Sequence, residues 1–151
     1  MPDFVQNDLK YFLESQAEFK KAGIKVTFVP QSTEFDVVVY KPSKILYRSL
    51  LPREFWRLST TDRTTRPFKI YFNEQNWSKI PRTSEYDSLD DYRTALVSHE
   101  FAHAIGHDHV GCRSKGALSD VRQQPSLPLD GCKPTTRVIL NRSSPKRPDI
   151  H

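Results

Sequence analysis

Residues 4–22 place Phe4, Val5, Leu9, Phe12, Leu13, Ala17 and Phe19 at mostly three- and four-residue steps, which predicts an amphipathic helix closed at Gly23. The stretch "IKVTFVP" then alternates apolar and polar positions and stops at Pro30, the pattern of a strand. "FDVVVYKP" is a continuous β-branched run, which predicts a strand buried on both faces of a mostly parallel sheet. Residues 41–66 keep no clean period and are broken by Pro52; a short helix or loop is expected there, followed by a strand near Phe55–Ser59. In "RPFKIYFNEQNW", Phe68, Ile70 and Phe72 alternate with Lys69, Tyr71 and Asn73, the pattern of an edge strand with one wet face. "SKIPRTSEYDSLD" reads as a loop offering Ser88 or Asp90 as a helix N-cap. From Asp90, the spacing of Tyr92, Ala95, Leu96, Val97, Phe101, Ala102 and Ile105 is helical. Beyond Gly111 the chain reads as irregular through Pro134, with a short strand at "TRVIL".

These elements suggest an α+β or α/β-type sandwich in a single domain over 1–140, since 151 residues suffice for one core and not for two ordinary ones. No apolar run is long enough to span a bilayer, so no membrane partner is expected. The formal charge of +5 is uneven: after Cys132 come Lys133, Arg137, Arg142, Lys146 and Arg147 against Asp149 alone. Residues 141–151 therefore read as a basic, flexible tail, which offers a tether for nucleic acid although no aromatic side chain is interleaved for base stacking. Cys112 and Cys132 are candidates for a disulfide or for two free thiols. The N-terminus has no signal-peptide pattern, which leans intracellular, whereas a bridge between the cysteines would lean secreted.

The chemistry concentrates in "HEFAHAIGHDH", residues 99–109, which holds four of the five histidines. His99 and His103 are four apart on the predicted helix, so both imidazoles lie on one face and can reach one zinc ion. Glu100 projects beside that pair, where it can serve as the general base of zinc-dependent peptide hydrolysis. A third ligand must come from His107 or His109. On a straight helix His99, His103 and His107 would span about 12 Å, while ligands of one zinc lie within about 4 Å of each other. Gly106 is a hinge that can end the helix at positive φ and bring His109 to the metal. Cys112 is the nearest candidate for a fourth protein ligand, and Asp108 for a group orienting an imidazole.

His99, Glu100, His103, Gly106 and His109 fill every fixed position of H-E-x-x-H-x-x-G-x-x-H, and in this the chain resembles the metzincin clan of zinc endopeptidases. The order of elements over roughly residues 4–110 is similar to that of matrixin-like catalytic domains. The resemblance implies a twisted, mostly parallel sheet with an antiparallel edge strand on two long helices, followed by a small irregular C-terminal part, with the division near residue 106. It also implies a monomeric endopeptidase with one catalytic Zn2+, in which a water on the metal is activated by Glu100. An extended protein or peptide substrate would pair with Phe68, Ile70, Tyr71, Phe72 and Asn73. The chain departs from the clan's pattern in having Met1 as its only methionine, so Leu118, Val121 or Leu127 must replace the methionine beneath the metal. No tyrosine follows Tyr92 to serve as a further ligand. The competing expectations are a metalloprotease recruited to nucleic acid by its tail and a non-catalytic zinc-binding interaction module.

Overall fold

The computed structural model describes Lys10, Glu14, Lys21 and residues 37–40, 42–140 and 142–147. Lys10, Glu14 and Lys21 are helical, with an ion pair between the first two at 2.8 Å. The remainder of the helix expected over 4–22, and the whole strand expected over 24–30, lie outside the described residues.

The described sheet has three strands: β1 (Val37–Tyr40), β2 (Thr60–Asp62) and β3 (Phe68–Tyr71), in the spatial order β1-β3-β2. β1 runs parallel to β3, with Val37 opposite Phe68 and Tyr40 opposite Tyr71. β2 runs antiparallel to β3, with Thr60 opposite Tyr71 and Asp62 opposite Lys69. This is a mixed sheet in a small α+β fold. The strand expected at the edge is therefore central among the described strands, because both of its sides are hydrogen-bonded. Its wet face is also covered: Tyr71 is buried and stacks on Tyr40, with ring centroids 5.2 Å apart. The antiparallel edge falls to Thr60-Thr61-Asp62, which has no apolar alternation to announce it. The strand expected at Phe55–Ser59 is replaced by a 3-10 turn at Arg53–Phe55, with the strand starting at Thr60. Phe68, Ile70, Tyr71, Phe72 and Asn73 cannot offer an open strand edge to a substrate, and Ile70 through Asn73 are buried.

Among the described residues, three α-helices with described bounds accompany the sheet. α1 (Lys44–Leu50) is capped by Ser43, whose hydroxyl accepts from the Leu46 N–H, and its Tyr47 is buried with its hydroxyl donating to the Leu58 carbonyl. α2 (Glu74–Ser78) is capped by Asn73, whose side chain also donates to the Trp56 carbonyl at 2.8 Å. α3 (Leu89–Ala104) starts at Ser88, whose hydroxyl accepts from the Asp91 N–H, and Asp90 and Asp91 lie in its first turn, where carboxylates favour the helix dipole. α3 packs across β2 and β3. Tyr92, Leu96, Val97 and Ala102 join Ile70 and Phe72 in one core, which Val121, Leu129, Cys132 and Val138 close from the other side.

Among the described residues, 105–140 and 142–147 contain no regular helix or strand, yet the segment is well bonded. The short strand expected at "TRVIL" does not form; Val138 enters the core and the Ile139 carbonyl accepts from Val121 N–H at 2.9 Å. Ser119, Asp120, Gln123, Gln124 and Ser126 are all buried. Their polar groups find partners: Asp120 holds Arg122 at 2.8 Å, Gln123 donates to the Leu129 carbonyl at 3.2 Å, and Ser126 pairs with the Tyr92 hydroxyl at 2.6 Å. A buried loop persists only when its polar groups are satisfied in this way. Cys112 and Cys132 form a disulfide. The stretch expected as a flexible tail is anchored at 145–147: Val110 bridges Lys146, Gly111 N–H donates to Pro145 at 2.6 Å, and Arg147 N–H donates to His109 at 2.9 Å. Gly111 permits this close approach, since a Cβ there would lie 3.2 Å from Arg147 and 3.3 Å from Pro145 side-chain carbons.

The disulfide closes a loop of sequence separation 20, so its removal is expected to cost about 3 kcal/mol of stability. Denaturant unfolding of the Cys112→Ser/Cys132→Ser pair should show a lower midpoint than the oxidised protein. An unchanged midpoint would mean that the hydrogen bonds of the irregular segment hold it without the bridge.

Candidate metal centre

The last turn of α3 positions the site. His99 and His103 lie one turn apart on a helix that is buried on nearly every side. The helix stops because Ile105 leaves helical geometry and Gly106 takes φ +102°, a value an L side chain rarely adopts. Gly106 N–H donates to the His103 carbonyl and His107 N–H to the Ala102 carbonyl, both at 3.0 Å. That bond pair is a Schellman motif, which satisfies the open carbonyls of the last turn and reverses the chain. No atom lies within 4 Å of a Cβ built on Gly106, so the glycine is needed for its backbone angle and not for space.

After the turn, His109 returns to the pair. The Nε2 atom of His103 lies 3.0 Å from Nε2 of His99 and 3.0 Å from Nε2 of His109. One ligand atom from each of the three lies within 4.8 Å of the others, and all three residues are buried. Two of the rings have their tautomer fixed by a backbone carbonyl. His99 Nδ1 is 2.8 Å from the Val121 oxygen, and His103 Nδ1 is 2.7 Å from the His107 oxygen. A carbonyl only accepts, so each Nδ1 carries the proton and each Nε2 presents a lone pair. Two lone pairs 3.0 Å apart repel unless a cation lies between them. The donor set therefore fits a metal ion: three imidazole nitrogens, two of them pre-oriented by carbonyl partners as metal-bound histidines usually are.

Burial lowers the His103 pKa, opposed by the hydrogen bond to the His107 carbonyl. The neutral, ligating form thus persists on the acid side of the ordinary histidine range. Glu100 is wholly buried beside this centre, and burial raises its pKa to about 7. Two groups work against that rise: the Thr61 hydroxyl, 2.6 Å from Oε2, and the Gln124 side chain. Oε1 has no hydrogen-bond partner. The centre opens into a cleft of about 590 Å³, lined on one side by Thr60, Thr61 and Arg63 and on the other by His109, Val110, Arg122 and Lys146.

Several expectations change here. Cys112 is committed to the disulfide and is no fourth ligand. The Asp108 carboxylate takes Arg63 at 2.7 Å on the surface, tying the end of β2 to the ligand turn. That pair lowers the Asp108 pKa through the hydrogen bond from Arg63. His107 serves through its backbone carbonyl, beneath His103. Of the three floor candidates, Val121 is buried with its carbonyl on His99, while Leu118 is exposed and Leu127 half-buried. Thr61 and the two orienting carbonyls escaped sequence reading altogether. A carbonyl partner leaves no residue-type signal, and Thr61 sits in a strand without an apolar pattern.

Residues 15–137 match the model of a family described as protein of unknown function (DUF3152). The chain belongs to this family. No curated protein and no solved structure matches it. Within this DUF3152 chain the matched span contains all three histidines, Glu100 and both cysteines.

The DUF3152 chain is expected to take up one divalent metal ion, with the affinity falling as acid protonates the imidazoles. Metal analysis after gel filtration should find about one equivalent in the wild type and a large loss in His99→Ala, His103→Ala and His109→Ala. His107→Ala should keep the metal, because only its backbone oxygen is used. Retention by all three ligand variants would show that the ion sits elsewhere.

Proposed function

We propose that the protein is a zinc-dependent endopeptidase of the metzincin type. The observation that carries this reading is the convergence of three imidazole nitrogens, two of which belong to residues lining an open cleft (His103 and His109), with the buried Glu100 next in sequence to His99 and one of its carboxylate oxygens without a hydrogen-bond partner. A set of three nitrogen donors suits zinc and leaves a coordination position open for chemistry. When bound, zinc supplies a water of lowered pKa and polarises a substrate carbonyl.

The residues of the chain supply the rest. Glu100 accepts a proton at Oε1 and returns it to the leaving amine, while Thr61 fixes Oε2 and so aims the free oxygen. Val121 and His107 keep the His99 and His103 rings in the ligating tautomer. An extended peptide adds to the outer side of β2, which is unpaired among the described residues and whose Thr60 and Thr61 line the cleft. This replaces Phe68–Asn73 as the substrate strand.

Glu100→Gln keeps the shape of the side chain and removes the base. Zinc content should stay at the wild-type level while peptide hydrolysis falls by about 10²–10⁴-fold. Digestion of a peptide mixture, with and without chelator, checks both. Unchanged turnover in Glu100→Gln would contradict the assignment of the base, and chelator-sensitive binding without any cleavage by the wild type would favour the interaction module.

A further inference from the structure

The cleft that His103 and His109 line also carries three cationic side chains, Arg63, Arg122 and Lys146, against one carboxylate, Asp108. Two of the cations are already engaged: Arg63 holds Asp108 at 2.7 Å and Arg122 holds Asp120 at 2.8 Å. Lys146 is exposed and has no ion-pair partner among the described residues. Its backbone is nonetheless fixed. The bridge to Val110 and the bonds on either side of it set Lys146 one strand-width from the segment that delivers His109. A lysine on a loose tail would be an ordinary solvated charge. Here Lys146 lines the cleft from an anchored backbone, next to the segment that carries a histidine of the centre.

From this placement we infer that Lys146 selects substrates carrying a carboxylate close to the scissile bond, so that the cleft prefers acidic peptides. The inference rests on the peptidase reading and names its substrate class. A carboxylate can come from an internal Asp or Glu side chain or from a free C-terminus. In either case the ammonium offers a point charge with rotatable donors rather than a planar fork, so one carboxylate oxygen is enough for the contact. The two arginines are already held by Asp108 and Asp120 and do not compete for the ligand.

The test uses zinc-loaded Glu100→Gln protein, which binds peptide without consuming it, and measures fluorescence anisotropy with three terminally blocked peptides that differ only in Glu, Gln or Lys beside a fixed central sequence. A fourth, the Gln peptide with a free C-terminus, separates the two sources of carboxylate. The Glu peptide is expected to bind about five-fold tighter than its Gln twin, with the Lys peptide weakest. Adding Lys146→Glu should invert that order, and Lys146→Gln should flatten it. Lys79→Glu, the same charge change at the C-terminal end of α2, should leave the order intact and so controls for net charge. Equal affinity for all peptides, no binding of any, or the same inversion in Lys79→Glu overturns the inference. So does tighter, Lys146-independent binding of a single-stranded oligonucleotide. Cleavage is read separately on the protein with Glu100 intact; its absence counts against the peptidase reading, while the order of binding still decides the role of Lys146.

Discussion

Three converging imidazole nitrogens, with His103 Nε2 3.0 Å from the Nε2 atoms of both His99 and His109, are the constraint around which this molecule is arranged. The two with assigned tautomers face each other lone pair to lone pair at 3.0 Å, because Val121 and His107 take the Nδ1 protons. Without a cation this contact is repulsive, and it lies in a buried site where water does not screen it. The surrounding structure must therefore either hold the rings against repulsion or receive a positive charge. The Schellman turn at Gly106, the Val121 segment and the docked stretch at 145–147 each fix one member of the set. Their convergence makes sense as a prepared site for a metal ion.

The same arrangement accounts for the burial of Glu100. A carboxylate wholly out of water is costly in its charged form, and here its pKa rises to about 7. Such a group persists in a core when neighbours or a nearby cation compensate it. Thr61 compensates one oxygen, and Oε1 is left open. β2 thus has two duties: its Thr61 steadies the carboxylate from one side while its outer edge borders the cleft. The short, polar strand is the link between the core of the sheet and the site.

Much of the site was legible in the sequence because metal ligands need particular residue types at particular steps. His99, His103 and His109 could be picked by spacing, and Gly106 by the need to break a helix that would otherwise carry His107 too far. Ser88 announced the start of α3 for a similar reason, since caps have few chemical solutions. The sheet was less legible. "RPFKIYFN" alternates as an edge strand does, but alternation reports only which face is apolar, not whether a polar neighbour such as Thr60–Asp62 pairs alongside. Asp62 and two threonines gave no apolar pattern to reveal that neighbour. The docking of Pro145–Arg147 was hidden because it depends on backbone bonds to His109 and Gly111, to which the side chains of a basic, proline-containing stretch give no clue.

The central claim is that the three Nε2 atoms share one zinc ion and leave it an open position. X-ray absorption at the zinc edge of the purified, zinc-loaded protein tests this directly. The account predicts three imidazole nitrogens and one oxygen donor at about 2.0–2.1 Å, with no sulfur. A sulfur shell near about 2.3 Å, or a site closed by four protein ligands, would contradict it.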